Sequence, residues 1–281
     1  MSERRPRGAE PRAPGDRSQN RSGADPVGGT PAFERLSGQH AVREALRAQR
    51  RSFVRLLLED GQRSEEGTGL AELARAAGVK VETLPRARFA ELAGAEGRSQ
   101  GVLLEAGPLP ELSLAALLGG EPGTRRLVAL DGVEDPQNVG AVARVAESAG
   151  AGGLILTRRR APPLSPAVSR ASAGAIEHLP VARVTNLPRA LEELKAGGFW
   201  ILGAEPEAEA DLFGASDRLL SGDLVVVLGA EGRGLRRGVR AVLDHELRIP
   251  MAGRVGSLNV SAAAAVLLFE LLRRSRLAPP V

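Results

Sequence analysis

The sequence of 281 residues contains no cysteine and no tyrosine, and only six phenylalanines and one tryptophan. Without cysteine there can be no disulfide, no cysteine ligand for a metal and no cysteine nucleophile. The scarcity of aromatic rings argues against binding single strands mainly by stacking. No apolar segment reaches the roughly 18 residues that a membrane span requires. The N-terminus has charges but lacks the apolar core of a secretory signal, so a cytoplasmic protein is expected.

Lysine is almost absent as well, because Lys80 and Lys195 are the only two and the other basic residues are arginines. Such a bias is typical of GC-rich genomes, but arginine also forms forked hydrogen bonds with phosphate and stacks on bases. Together with a net charge of +4, it weakly favours a nucleic-acid partner. The three histidines, His40, His178 and His245, lack the spacing of metal ligands, so no metal is expected.

The composition changes along the chain and predicts four segments. Residues 1–32 are rich in arginine, proline, glycine and serine, which predicts a disordered, mildly basic tail. Residues 33–107 alternate helical patterns with short apolar strands, as in a small α/β domain. Residues 108–124 are rich in glycine and proline and are predicted to be a linker. A second domain is predicted over residues 125–281.

The second domain is predicted to contain a parallel sheet. Four short apolar segments predict strands, at 126–131, 153–157, 200–203 and 224–228. Helices are predicted over about 138–150 and 187–196. Continuous apolar strands that alternate with helices indicate a parallel sheet covered on both faces. The apolar run over 262–272 predicts a C-terminal helix that is buried on nearly all sides.

Three polar loops are predicted at the carboxyl ends of strands, where open α/β sheets bind ligands. The first runs from Asp131 to Arg144, the second covers 228–235, and the third covers 249–261. In the third loop, Ser257 and Asn259 come just before the apolar helix, whose first N–H groups have no partner within the helix. Polar side chains in that position are suited to holding a ligand.

Arg144 has only small apolar neighbours in the sequence, which predicts partial burial and a partner of opposite charge. Glu231 is a candidate for that partner, because the glycines around it let the backbone approach closely. A structural ion pair at Arg144 and a plain turn around Glu231 are the alternatives. The glycine spacing here is G-x-x-G-x-G, not the dinucleotide pattern G-x-G-x-x-G, which argues against a nucleotide-dependent oxidoreductase.

Three consecutive arginines, Arg158, Arg159 and Arg160, follow a predicted strand. At a strand's carboxyl end they could bind RNA phosphates. A solvated run of charges is the alternative interpretation.

Taken together, the three loops resemble the three motifs of the SpoU (TrmH) family of RNA ribose 2'-O-methyltransferases, in the SPOUT superfamily. Asn138-x-Gly140-x-x-x-Arg144 is similar to the first motif, and Leu228-Gly229-Ala230-Glu231-Gly232-x-Gly234 to the second. Ile249-Pro250 with Ser257-Leu258-Asn259-Val260-Ser261 is similar to the third. The order and spacing of the motifs make the resemblance specific.

The resemblance extends outside the three loops. Gly38-x-His40-Ala41-Val42-x-Glu44-Ala45-Leu46 and Gln100-Gly101-Val102 resemble the family's small, L30e-like substrate-binding domain, which makes His40 a candidate for RNA binding. Residues 171–180 resemble the subgroup that methylates a guanosine ribose of 23S rRNA. Ser99 stands where that subgroup usually has histidine, a departure that bears on the choice of RNA.

The resemblance implies an α/β SPOUT domain with a deep trefoil knot, working as a homodimer to which the C-terminal helix contributes. It implies S-adenosylmethionine bound in the knot by main-chain groups around three residues, Gly229, Ile249 and Leu258. It also implies that Arg144 is the general base, or orients the phosphate and the hydroxyl. Four residues would support it: Asn138, Glu231, Ser257 and Asn259.

Several alternatives stay open at this point. A tRNA ribose methyltransferase is the first, and an rRNA methyltransferase of the resistance type with another target is the second. A non-catalytic RNA-binding protein is the third, although the intact motif residues argue against it. Methylation at C5 of a pyrimidine is disfavoured, because it typically needs a cysteine adduct and the chain has no cysteine.

Overall fold

A computed structural model describes residues 33–61, 65–94, 99–119 and 123–277. The predicted N-terminal tail, residues 1–32, lies outside the described residues. Within the described ranges the strands form two separate sheets, one for each predicted α/β region.

The first sheet belongs to the N-terminal region. The elements are β1 (Glu34–Ser37), α1 (Gln39–Ala48), β2 (Phe53–Glu59), α2 (Glu65–Ala76), β3 (Lys80–Leu84), α3 (Arg86–Ala93) and β4 (Val102–Ala106). The four strands have the order β1-β4-β2-β3. β2 and β3 are parallel, and β4 is antiparallel to both of its neighbours. The sequence did not predict β1, because it is short and carries charges around its one fully buried residue, Leu36.

The second sheet contains the strands of the C-terminal region. Its elements are β5 (Arg126–Asp131), α4 (Pro136–Ser148), β6 (Gly153–Thr157), α5 (Pro166–Ala171), β7 (Val181–Val184), α6 (Leu187–Ala196), β8 (Trp200–Ala204), β9 (Ala210–Asp211), α7 (Asp217–Leu220), β10 (Leu224–Gly229), α8 (Arg237–Arg240), β11 (His245–Arg248) and α9 (Val260–Leu277). The order is β7-β6-β5-β10-β8-β11-β9.

Every strand pair in this second sheet is parallel, which confirms the predicted architecture. The sequence did not predict β7, β9 and β11. All three are short, and charged residues such as Arg183 and Glu246 interrupt their apolar pattern.

The second sheet is covered on both faces, because residues along each strand point alternately to the two sides. In β5, Leu127 and Ala129 pack into the apolar layer under α6 and α8. Val128 and Leu130 pack into the opposite layer, with α4, α5 and α9. This alternation explains why the central strands are apolar without interruption.

The described part of the predicted linker packs against the second sheet. Leu112 forms a parallel bridge with Ala182, and a 3₁₀ turn follows over Leu114–Leu118. Leu117 is buried in the layer under α6. The linker residues therefore extend the larger core, and the boundaries proposed at 107 and 124 stay predictions.

The C-terminal helix α9 departs from the prediction that it is buried on nearly all sides. Ala264, Leu267 and Leu271 face the core, but Phe269 is 46% exposed and Ala262 is exposed as well. A single helix on one face of a sheet has one contact side, so an apolar sequence leaves the other side uncovered. The prediction that α9 is buried on nearly all sides was therefore wrong for the chain by itself.

Candidate functional site

The three motif loops lie at one edge of the second sheet. In a parallel sheet the carboxyl ends of all strands point the same way, and ligands bind outside them. The first loop follows β5, the second follows β10 and the third follows β11. β10 lies between β5 and β8, and β11 is next to β8, so the loops start close together, as the sequence predicted.

One residue from each loop joins a cluster of hydrogen-bonded side chains. Asn259 Nδ2 donates to Asn138 Oδ1 at 3.0 Å and also to Glu231 Oε1. Asn138 Nδ2 donates to the same carboxylate oxygen at 3.4 Å. We call Asn138, Glu231 and Asn259 the loop triangle. It ties together three segments that are far apart in the sequence.

Asn259 also lies directly before α9 and caps it. Its Oδ1 accepts hydrogen bonds from Ser261 N at 2.9 Å and from Ser261 Oγ at 2.6 Å. A side-chain oxygen in this position satisfies an N–H that has no partner within the helix. The same residue therefore holds the loops together and caps the helix that follows.

Two buried carboxylates support the glycine loop, residues 230–236, from both sides. Asp131 ends β5 and accepts hydrogen bonds from Arg236 N at 2.9 Å and Arg236 Nε at 2.6 Å. Glu205 directly follows β8 and accepts from Leu235 N at 2.9 Å and from Arg240. The loop after β10 is thus anchored to both neighbouring strands.

The sequence interpretation missed the role of Glu205. It is one of three acids alternating along Glu205-Pro-Glu207-Ala-Glu209, and nothing in their residue types distinguishes it. Only Glu205 is buried, being 4% exposed. Its position directly after an apolar strand is the feature that could have identified it.

A pocket of about 470 Å³ opens beside the loop triangle. Its walls come from the segment after β8, the glycine loop, the third loop and the first turn of α9. Five residues predicted for the site line it: Gly229, Glu231, Ile249, Ser257 and Leu258. The volume lies within the range of about 300–1,000 Å³ that is usual for small-molecule sites.

Gly229 leaves no room for a side chain at this pocket. An added Cβ would overlap the main chain of Gly234 and Leu235, which fold back over it. Ala230 and Gly234 form an antiparallel bridge, and Gly234 has a φ of 60°, which favours glycine. The glycine spacing in this loop therefore lets the backbone itself form the pocket wall.

Arg144 does not have the environment that the sequence predicted. It is exposed on α4, and within the described ranges it forms no hydrogen bond or ion pair. Its neighbours Val142, Ala143 and Ala146 are the buried side of the helix, so the helical period turns Arg144 outward. Glu231 bonds to the two asparagines of the loop triangle instead. The predicted burial and the predicted Arg144–Glu231 pair were both wrong.

The arginine triplet lies at the carboxyl end of β6, and none of its members lines the pocket. Arg158 pairs with Glu111 at 2.9 Å. The other two, Arg159 and Arg160, are exposed, and their guanidinium groups have no partner within the described ranges. His40 is exposed on α1 of the N-terminal region and does not line the pocket either.

The described ranges contain neither a metal-binding group nor a membrane-spanning helix. No group of three or more histidines and acids there could hold a metal ion. Among the same residues, no helix has the length and apolar character to cross a bilayer.

Two family models match the chain. The model described as SpoU rRNA Methylase family matches residues 125–269. The model described as RNA 2'-O ribose methyltransferase substrate binding matches residues 35–112. The three motif loops lie inside the first match, and α1 lies inside the second.

Individual proteins are similar over most of the chain. A protein of Ralstonia nicotianae named 23S rRNA (guanosine-2'-O-)-methyltransferase RlmB is 41% identical over 245 residues, covering 87% of this chain and 97% of its own. The Bacillus subtilis protein YacO, named a putative TrmH family tRNA/rRNA methyltransferase, is 37% identical over 84% and 94% of the two chains.

A solved structure shares the fold. The SpoU methyltransferase AviRb from Streptomyces viridochromogenes, crystallised with AdoMet, superimposes with a TM-score of 0.72 at 21% identity, over 87% of this chain and 91% of its own. The family match over the second sheet and the relative at 41% identity agree with the arrangement of the loops. This chain belongs to the SpoU rRNA methylase family.

Proposed function

We propose that this protein transfers a methyl group from S-adenosylmethionine to a ribose 2'-hydroxyl of RNA, and that its target is a guanosine of 23S rRNA. The observation that carries the proposal is the pocket at the carboxyl edge of the second sheet. Residues of the second and third motif loops line it, and Asn138 of the first loop bonds to the lining residue Glu231. The name of the Ralstonia relative, which this chain matches over 97% of that protein, supports the choice of substrate.

The residues of the pocket fit the proposed cofactor. Because Gly229 lacks a side chain, main-chain groups at Gly229, Ile249 and Leu258 can hold a ligand of this size directly. Glu231 adds a negative charge to the pocket wall, which favours a positively charged ligand. When bound, S-adenosylmethionine supplies an electrophilic methyl group on a positively charged sulfur.

The ribose hydroxyl must lose its proton as it attacks, and a positioned base is worth about 10²–10⁴-fold in rate. We assign this role to Arg144, with the help of an RNA phosphate, since an arginine side chain ordinarily keeps its proton at neutral pH. The guanidinium has no partner within the described ranges, so it can form a fork with phosphate. Alternatively, it orients the phosphate and the hydroxyl without taking the proton.

The loop triangle would hold the catalytic loops in place, with Ser257 facing the pocket. We further propose that the third loop belongs to a deep trefoil knot. In support, Asn259 bonds to residues of both earlier loops, and α9 then packs into the same apolar layer as α4.

We propose that the protein works as a homodimer. The uncovered side of α9 and the third loop expose three large apolar residues, Val255, Leu258 and Phe269, of which Leu258 lines the pocket. A second copy would cover them. Arg159, Arg160 and His40 are exposed and available for RNA, and the expected location is the cytoplasm.

The test uses purified protein with methyl-labelled S-adenosylmethionine and, in separate reactions, 23S rRNA, 16S rRNA and bulk tRNA. Alkali-resistant label in 23S rRNA is expected, because a 2'-O-methyl group blocks alkaline cleavage. Label in tRNA would support ribose methylation but contradict 23S rRNA as the substrate. The tRNA reaction is included because the relative YacO is named a putative tRNA/rRNA methyltransferase. Bound cofactor with no label in any RNA would contradict the proposal.

A further inference from the structure

Residues 171–180, which the sequence analysis linked to the choice of rRNA, are mostly buried and do not line the pocket. Ser172 and Glu177 are fully buried. Buried side chains cannot contact RNA directly. They can influence RNA binding only through the parts of the protein that cover them. On one side the cover is α4 of the same region, and on the other it is α1 and the residues between α1 and β2, in the N-terminal region.

Arg51, between α1 and β2, is the polar centre of this contact. Its guanidinium forms a fork with Glu177, with Nε donating at 2.8 Å and Nη2 at 3.1 Å. Nη1 donates to Glu34 at 2.7 Å and to the carbonyl of Gly107 at 3.0 Å. Ser169 Oγ donates to the same Glu177 carboxylate at 2.5 Å. All three nitrogens of the guanidinium are therefore engaged.

The Arg51–Glu177 pair has no contact with water, since both side chains are at most 1% exposed. Burial by itself lowers the pKa of Arg51, but the hydrogen bonds and charges of Glu177 and Glu34 outweigh it and raise that pKa. The arginine stays charged. Buried ion pairs add little net stability but can specify one geometry.

Hydrogen bonds around this centre run in both directions. Arg50 Nη1 donates to the carbonyls of Glu177 at 3.1 Å and Leu179 at 2.8 Å. From the other side, Arg170 Nη1 donates to Ser37 Oγ at 2.9 Å. We call this set of contacts the interdomain clasp.

Gly174 shows how closely the two regions fit. It has a φ of 88°, and an added Cβ would lie 2.6 Å from Glu44 Cβ and 3.1 Å from the carbonyl oxygen of His40, both on α1. Ordinary carbon contacts are longer, so even a methyl group would push α1 away. His178 and Glu44 meet beside this point at 2.8 Å.

We propose that Arg51 and Glu177 are positioning residues that fix the substrate-binding domain on the methyltransferase domain in one orientation, and that this orientation selects the ribose brought to the pocket. A folded RNA held by two surfaces presents one nucleotide at a set distance only if the surfaces are fixed relative to each other. A misplacement of about 1 Å can cost about 10²-fold in rate. The RNA consequence rests on the proposed function, whereas the fixed orientation does not.

The experiment compares two glycines that have a similar positive φ. Gly174→Ala places a methyl group against α1, whereas Gly198→Ala, at a φ of 91°, has nothing within 4 Å. Both glycines have the positive φ that strains alanine, so the steric contact with α1 is the main difference between the two variants. Because the chain has no cysteine, spin labels on Ala87→Cys in α3 and Glu192→Cys in α6 report the distance between the domains. Labelled protein is diluted with unlabelled protein so that distances within one chain dominate.

The parent and Gly198→Ala are expected to give one narrow distance distribution, and Gly174→Ala a shifted or broadened one. A broad distribution in the parent would overturn the proposal. So would indistinguishable distributions for Gly174→Ala and Gly198→Ala. If Gly174→Ala does not fold, Arg50→Ala, which removes two hydrogen bonds at the edge of the clasp, takes its place with the same criteria.

The activity measurement separates this proposal from the proposed function. With 23S rRNA, Gly174→Ala should lower kcat/KM by about 10- to 100-fold relative to Gly198→Ala, while the affinity for S-adenosylmethionine is unchanged. Equal kcat/KM for the two variants would overturn the role in RNA selection. If the parent methylates no RNA, the proposed function fails, and the distance measurement still decides whether the orientation is fixed.

Discussion

The interdomain clasp and the loop triangle each hold a glutamate carboxylate by hydrogen bonds, but in opposite settings. In the clasp, Arg51 is fully buried and each of its nitrogens has a partner. In the triangle, Glu231 is exposed and accepts both of its hydrogen bonds at one oxygen, Oε1. Arg144, which follows in the first motif, has no partner within the described ranges. Buried polar groups that have made all their hydrogen bonds fix the positions of the segments they join. Exposed groups that can still form hydrogen bonds are available to a ligand.

The largest effect should come from the backbone of the pocket itself. Gly229→Ala forces the glycine loop away, because the new methyl group overlaps the main chain of Gly234 and Leu235. We expect S-adenosylmethionine affinity to fall more than about 100-fold, as for a loss of roughly 3 kcal/mol. Titration calorimetry measures it. Gly253→Ala, in the third loop with nothing within 4 Å, is the control and should bind normally.

Arg144→Lys tests the arginine that has no partner within the described ranges. Lysine keeps the charge but cannot form the fork with phosphate, so the rate of methyl transfer should fall by about 10²-fold or more. The melting temperature should not change, because Arg144 has no partner to lose. Single-turnover kinetics and a thermal melt check both. Turnover like that of the parent would rule out both roles proposed for this arginine.

Arg51→Lys makes the same substitution in the interdomain clasp, where the arginine has a partner at every nitrogen. It should lower stability, unlike Arg144→Lys. It leaves buried acceptors on Glu177 and Gly107 without donors, which should cost about 2 kcal/mol of stability or more. Denaturant unfolding measures the loss. Affinity for S-adenosylmethionine should be unchanged, since Arg51 is not at the pocket. An unchanged unfolding free energy would contradict the contrast drawn between the two clusters.

Asn259→Ala should lower both stability and the rate of methyl transfer, each by less than the arginine variants do. It removes the cap of α9, which should lower stability by about 1 kcal/mol. It also releases the third loop from Asn138 and Glu231, so we expect methyl transfer to slow by about 10-fold, as for the loss of roughly 1.4 kcal/mol. Cofactor titration and initial rates test this. If both were unchanged, the supporting role of the triangle would be wrong.

The smallest effect concerns acid stability. Hydrogen bonds from Arg273 and Arg274 lower the pKa of Glu270 to about 2, from 4.5. The resulting stability is complete above pH 4.5 and is lost as the pH falls towards 2. Because Arg273 is largely exposed, the contribution should be below about 1 kcal/mol. Glu270→Gln should therefore flatten the pH dependence of unfolding in that window, and an identical slope in both proteins would exclude the pair as its source.

The parallel sheet and its site could be predicted because both depend on local patterns. Continuous apolar segments mark buried parallel strands, and loops that follow them in such a sheet must share an edge. The resemblance to the SpoU motifs then implied one pocket at Gly229, Ile249 and Leu258, and the structure lines a pocket with them. Short strands such as β7 and β11 were missed, because charged residues hide so short a pattern.

What the sequence by itself determined is the set of residues at the site and the family to which the chain belongs, since motif order and spacing are properties of the chain alone. The tertiary structure decided which polar groups are saturated. It buried Glu205 and Glu177, turned Arg144 outward, and left one side of α9 uncovered. Burial and partnership depend on residues far apart in the sequence, and no local pattern records which of them will meet.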